Sequence, residues 1–451
     1  MSLEAAIAVH RFGLGARPGE IEGVGADPKA WLTAQIGMAA EQPVAPDGGA
    51  FPNCGTLVRQ EQAMIAERRA IKAGDPEAQK KLAGGRMKIF TDEMAGRFKL
   101  GFTSSRPFAE HLVWFWTNHF TVSTTAGRTL NFCGAFEREA IRPFIADKFE
   151  NMLLAVASHP AMLVYLNNNA SIGPESRAGQ RTGKGRNENL GRELMELYSL
   201  GVDSGYTQAD VIALANILTG WSLDPKAASG FGYFPNRHQP GVQTLRGRRY
   251  APDLKGGIEA VRDLARDPHT AHHIAIKFAT YFIADEPSPQ SVARLERVFS
   301  QTGGDLKALA IAAVEDDAAW EPRPRKMRSP VEYVTAGYRL LNLPGNDADG
   351  RLTRAAMASA RAMGEFPMTA PSPKGWPLTS DAWSGPDAVL NRIEWAKQVG
   401  GKMPPDFNAA RVADEGMGPL IAPATRTAMA RAETQGDALA LLISSPEFQR
   451  R

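Results

Sequence analysis

Cysteine is nearly absent from this chain, with only Cys54 and Cys133. No CxxC pair exists, so the commonest thiolate metal sites and the thioredoxin-type redox motif are excluded. The two thiols could pair, but no spacing rule requires it, and so few cysteines leave the compartment unread. An excess of one charge is also missing. Lys and Arg total 52 against 49 Asp and Glu, a net +3, with both signs interspersed, which argues against a nucleic-acid partner. No apolar run is long enough to span a membrane as a helix. The opening MSLEAAIAVHRFGLGARPGE has neither the basic n-region nor the apolar h-region of a signal peptide. Phosphate-binding fingerprints are lacking too. The glycines of RFGLGARPG follow no strand, and their spacing is neither GxGxxG nor Walker A, so they read as a turn. No internal repeat period stands out.

What remains is a composition able to bury a large core. The chain has 451 residues, 43% hydrophobic and 22% charged, with 43 glycines and 31 prolines to break it into many segments. The apolar spacing is mostly helical, and the expected fold class is mainly α: a large multi-helix domain with a small β-hairpin insertion near 230–250. Three regions are expected. Residues 1–104 form an N-terminal helical region. Residues 105–341 form the central core with the hairpin. Residues 342–451 form a loop-rich segment and C-terminal helices packed on that core.

In the first region, 28–39 reads as a helix opened by proline, and 41–55 as a Pro/Gly loop. Residues 60–94 read as a charged helical arm, broken near Gly74-Asp75-Pro76 and Gly84-Gly85, with a basic run at Lys80, Lys81, Arg86 and Lys88. Such an arm is either a solvated face or a partner contact. The character changes at PFAEHLVWFWTNHFTVS. A helix from Pro107 places Leu112, Phe115, Trp116 and His119 on one face. His119 is then either a hydrogen-bonded core histidine or a ligand or general base, and Asn118 could orient a substrate. Two further helices follow over 136–149 and 152–167, the second interrupted at Pro160. Residues 170–186, polar and glycine-rich, read as a loop or lid.

The densest polar constellation is NENLGRELMELYSLGVDSGYTQADVIALANILTGW, from Asn187 to Trp221. On a helical wheel Glu188, Asn189, Arg192, Glu193 and Glu196 share one side, and Leu190, Leu194, Leu197 and Tyr198 the other. Gly201 fits a helix stop, Thr207 an N-cap and Asp210 its capping-box partner. The polar side is either a solvated face over a leucine core or a site turned inward. In the second case Glu193 and Glu196, at i and i+3, would serve as acid/base pair or metal ligands, with partners from elsewhere.

His238, in the NRHQPG turn, reads as exposed, yet a loop histidine is well placed for function. His269, His272 and His273 form HxxHH, which lacks the glutamate of HExxH and reads as capping or packing. Trp376 and Trp383 sit in a Pro/Gly loop, where they either stack on a ligand or plug a core.

The motifs RFGLGARPGE, WFWTNHFTVS, NENLGRELMELYSLGVDSGYTQADV with ALANILTGW, NRHQPG, AHHIAIKFATYFIAD, KGWP and SSPEFQRR occur in order across nearly the whole chain. Through them the sequence resembles the bacterial family called domain of unknown function 1800. The resemblance implies no settled activity. Because members often look exported and often sit beside a second uncharacterised family, it implies a protein partner and an envelope or extracellular location. The chain departs from the family in carrying Tyr198 where a histidine is often found.

Two functional readings follow. One is a hydrolase-like enzyme. Glu193, Glu196, His119 and His238 would be catalytic, Asn187, Asn189 and Arg192 would orient the substrate, and Trp114 and Trp376 would form walls. The other is a non-catalytic binding or assembly scaffold working with a partner protein. The sequence assigns neither metal nor cofactor.

Overall fold

The structure is a computed structural model of the 451-residue chain. It describes all residues except 38–39, 71–75, 344–346 and 348, and the side chains of 68–70, 76–83 and 126 are also outside the description. It is mainly α-helical, with about 60% helix.

The helix Pro107–His119 is the hub. Proline at its first turn is preset for helix, and every residue in it is buried except Asn118, which is half-buried. A helix apolar all round must be surrounded. Phe108 meets Phe12 and Phe282 edge-on at 5.6 and 5.9 Å, Phe115 meets Phe278 at 5.1 Å, and Trp116 lies 5.8 Å from Phe149. Buried apolar residues from Ala5 to Phe448 form one continuous cluster.

A second buried helix, Pro330–Leu340, lies beside it. Ser329 and Glu332 close a capping box at its start. At its end Arg339 donates to the carbonyls of Gly15, Gly101, Phe102 and Ser104 and to both oxygens of Glu20. Gly15 has φ +94°, and a Cβ there would lie 2.8 Å from that of Ala336. The RFGLG turn is therefore a packing device. Just before this helix, residues 326–328 run as a short strap. Lys326 and Arg451 exchange backbone hydrogen bonds, and Arg328 donates its backbone N–H to Gln449. The Arg328 side chain reaches the Phe448 carbonyl and His10 Nδ1.

The charged arm forms two helices, Cys54–Ala70 and Pro76–Thr103. Gly84 and Gly85 do not break the second, contrary to the sequence expectation. A helical glycine costs only about 1 kcal/mol against alanine, and the chain continues into a well-packed half containing Phe90, Met94 and Phe98. Part of the expected break at Gly74-Asp75-Pro76 lies outside the described residues.

The β insertion is two small antiparallel hairpins. Strands β1 (Trp221–Leu223) and β2 (Phe231–Tyr233) form one, and β3 (Gln243–Leu245) and β4 (Arg248–Tyr250) the other. Arg246 and Gly247, both at positive φ, make the second turn. Among the described residues, no helix is long and apolar enough to cross a membrane.

Candidate functional site

The helix Asn189–Glu196 packs Leu190, Gly191, Leu194 and Met195 inward. Thr207 and Asp210 form the expected capping box of the next helix, and Gly201 takes φ +89°. Asn189 is exposed. Asn187, Arg192, Glu193 and Glu196 are half-buried. Asn187 receives no side-chain role beyond accepting from the Asn189 N–H at 2.9 Å. Arg192 donates to Gln208 at 2.9 Å and lies 3.5 Å from Glu188. Glu196 accepts from the Tyr206 hydroxyl at 3.2 Å. Burial, and next the charge of Glu196, raise the Glu193 carboxyl.

The two histidines expected to converge on these acids are tied elsewhere. His119 is 2% exposed, and its Nε2 faces the Tyr198 carbonyl at 3.2 Å. Burial, followed by nearby Lys277, holds its pKa far down, so the ring is neutral. Tyr198 itself donates to the Thr121 carbonyl. His238 is buried, not exposed as its turn position suggested, because Nδ1 bonds the Thr219 carbonyl at 2.8 Å beneath the hairpins. Among the described residues, no hydrogen bond or ion pair joins either histidine to Glu193 or Glu196. His269 bonds Asp267, His272 bonds Glu296, and His273 faces the Leu197 carbonyl, a capping and packing set.

Trp114 and Trp376 are brought together. They line one cleft of about 70 Å³, with Asn118, Arg97, Lys326, Glu332, Glu365 and Trp383 among its other walls. By the same measure a water needs roughly 10–15 Å³, so the space suits several waters or one small group. Asn118 clamps the KGWP loop by accepting from the Trp376 N–H at 2.8 Å and donating to its carbonyl at 3.0 Å. The Trp376 indole donates to the Phe366 carbonyl, and the Trp383 indole to that of Pro377. Met368, on the same wall, sits at φ +59°. Such backbone strain in a non-glycine residue concentrates at functional sites.

The charges of the cleft are unequally spent. Glu332 is saturated. It meets Arg451 at 3.0 Å, His111 Nε2 at 2.8 Å, the Tyr281 hydroxyl at 3.0 Å and the Ser329 N–H. Lys326 pairs with Asp285 at 2.6 Å, and burial, chiefly, lowers its amine to about 8. Glu365 accepts from the Val331 N–H at 2.8 Å. Burial above all, reinforced by the charge of Glu332, raises its carboxyl to about 7 against the pull of these hydrogen bonds and of Arg97.

Arg97 belongs to a sealed ion network under this floor. Arg142 is bidentate to Glu110 at 2.7 Å and reaches Glu137 at 2.6 Å. Glu137 also takes Arg97 Nε at 2.7 Å. Burial alone would raise Glu137, but the two guanidiniums hold it at about 2. Arg97 stacks on Trp114 at 4.7 Å and spends only Nε. Its terminal nitrogens have no hydrogen-bond partner among the described residues, and Nη1 is sealed from solvent. A buried donor left unmatched costs roughly 1–3 kcal/mol.

A separate cluster joins Cys54, Glu139 and His159, whose ligand atoms lie within 4.8 Å of one another and could hold a metal ion. Cys54 and Cys133 are free and buried, so they do not pair. The Cys54 N–H donates to Glu139 at 2.8 Å. His159 caps the helix Pro160–Tyr165 by accepting from the Ala161 N–H at Nδ1. That fixes the proton on Nε2, which lies 3.6 Å from Glu139 and has no hydrogen-bond partner among the described residues. Metal ligation at Nε2 would have to displace this proton and give up the cap. The turn at 225–230 packs closely beside Cys54, since a Cβ on Gly55 would strike the Ala228 carbonyl. Cys54 and His159 are buried and Glu139 half-buried, so an ion there would sit largely within the fold.

Sequence reading missed Arg97, Lys326, Glu365 and the Cys54 cluster. Only the Ser-His-Pro break at 158–160 carried a signal, that of a histidine N-cap. No curated protein and no solved structure matches this chain. A family model described as "Protein of unknown function (DUF1800)" matches residues 7–450, in keeping with the ordered motifs, and the chain belongs to that family.

Proposed function

We propose that the protein is a hydrolase-like enzyme whose proton-transfer centre is the tryptophan-walled cleft, with Glu365 as general acid/base. One observation carries this reading. A carboxyl raised to about 7 lines a cleft, and an acid/base group works best when its pKa lies near the working pH. Trp114, Trp376 and Trp383 supply apolar walls, and the Asn118 clamp fixes the loop carrying two of them. Glu193 and Glu196 have a weaker claim. They are half-exposed, and Glu196 accepts from the nearby Tyr206 hydroxyl.

The test is a panel of chromogenic esters, amides and glycosides assayed with wild type and Glu365→Gln. Turnover is expected to fall at least ~100-fold in the variant, with the wild-type kcat/KM profile bending near pH 7. An active wild type matched by an equally active variant would remove Glu365 from the mechanism. No turnover of any substrate, with both proteins folded, would favour the scaffold reading, in which the charged helices of 60–94 contact a partner protein.

A further inference from the structure

We propose that the cleft binds the carboxylate group of a small monoanionic ligand, anchored on Nη2 of Arg97 beside Glu365. This rests on the same cleft as the enzymatic reading but not on catalysis.

The argument begins with unspent donors. Among the cations lining the cleft, Lys326 is paired with Asp285 and Arg451 with Glu332. Arg97 uses only Nε, on Glu137, although it is 5% exposed. Its guanidinium plane is fixed on one face by the Trp114 ring, so the donors are preorganised. Burying an arginine without spending its terminal N–H groups makes physical sense when something else supplies the acceptor.

The other walls narrow the chemistry. Glu332 and Glu365 line the same space, so a dianion such as a phosphate monoester would meet like charge. A monoanion is better matched. It can place one oxygen on Arg97, and the other can accept from Glu365 when that group is protonated. Space of about 70 Å³ fits a small head group. The rest of the lining mixes polar Thr117, Asn118, Thr121 and Ser329 with an apolar stretch of Val122, Val331, Pro367 and Leu378 beside the tryptophans. That stretch suits a short aliphatic or aromatic body behind the carboxylate.

The experiment is isothermal titration of the full chain with acetate, propionate and benzoate, each against its neutral amide. The carboxylates are expected to bind at least tenfold more tightly than acetamide, propionamide and benzamide. Equal binding of acid and amide, or no carboxylate binding at millimolar concentration, would overturn the proposal. This comparison uses wild type alone and decides the matter even if variants fold poorly. Arg97→Lys retains a charge for Glu137 but shortens the donor and loses the planar fork. It should reduce carboxylate affinity at least tenfold, and unchanged affinity in a folded variant would also overturn the assignment. Glu365→Gln should keep most of the carboxylate preference. Carboxylate binding without turnover would leave this site standing and remove the enzymatic reading. Turnover of neutral substrates with no carboxylate preference would do the reverse.

Discussion

Replacing Glu365 by glutamine should stabilise the protein, and only above a definite pH. The carboxyl titrates at about 7 in the folded chain against an ordinary 4.5, first because it is buried and then because Glu332 lies near. A carboxyl raised in this way holds its proton longer in the folded state than in the unfolded one. Its contribution is nil below about 4.5. It becomes unfavourable as pH rises between the two values, and stands in full above about 7. Each pKa unit corresponds to about 1.4 kcal/mol, so the full penalty approaches ~3 kcal/mol. That is a ceiling, because Glu365 keeps some contact with solvent. Glutamine cannot ionise, yet its side-chain oxygen can still accept from the Val331 N–H. Urea unfolding of wild type and Glu365→Gln should therefore coincide near pH 4.5 and separate at about pH 8 by up to ~3 kcal/mol in favour of the variant. An equal difference at both pH values, or a variant less stable at the higher one, would refute the electrostatic account of this residue. The same variant is expected to lose turnover, which makes it a direct measure of stability given up for a poised proton.

Other expectations follow from the same geometry. Burial raises both thiols, Cys133 to about 12. A disulfide-exchange reagent at mildly alkaline pH should thus find no fast-reacting cysteine in the native protein and two after unfolding. Gly375→Ala should destabilise by roughly 1–3 kcal/mol, since Gly375 has φ +85° and a Cβ there would lie 2.5 Å from the Asn118 carbonyl. Thermal unfolding measures that loss, and altered tryptophan fluorescence should report the displaced Trp376. Zinc supplied during refolding should be retained near one equivalent by wild type and not by Cys54→Ser. Zinc added to native protein should be taken up slowly because Cys54 and His159 are buried. Rapid native loading, or equal retention by the variant, would contradict that arrangement.

Local order was legible in the sequence wherever neighbours along the chain decide it. Proline-opened helices at Pro107 and Pro330, the Thr207–Asp210 capping box and the positive-φ glycine at Gly201 all follow from residues a few positions apart. Trp376 stood out as an aromatic among turns, and Trp114 as one of a run of aromatics in a helix. Arg97 and Glu365 did not. Arg97 lies in a helix that begins as a charged arm, and nothing within its own turn distinguishes it from the other charged residues of that arm. Its burial depends on Glu137 and Trp114. Glu365 follows a surface helix, and its raised pKa exists only once the fold buries it beside Glu332. His238 shows the same limit in reverse. A turn sequence implies exposure, but the Thr219 carbonyl waits underneath.

The strap at 326–328 also bears on how this molecule comes into being. Lys326 and Met327 help wall the cleft, yet their backbone is paired with residues 449–451, and Arg328 bridges to His10. The cleft is therefore a product of contacts between positions as much as 258 residues apart, the kind that form late because their loop-closure entropy must be met first. On a ribosome the hub helix and its aromatic neighbours can collapse early, but the walls around Glu365 cannot be completed until residue 451 has emerged. Until then Glu365 lacks the burial that raises its carboxyl, and the molecule has no poised proton to offer.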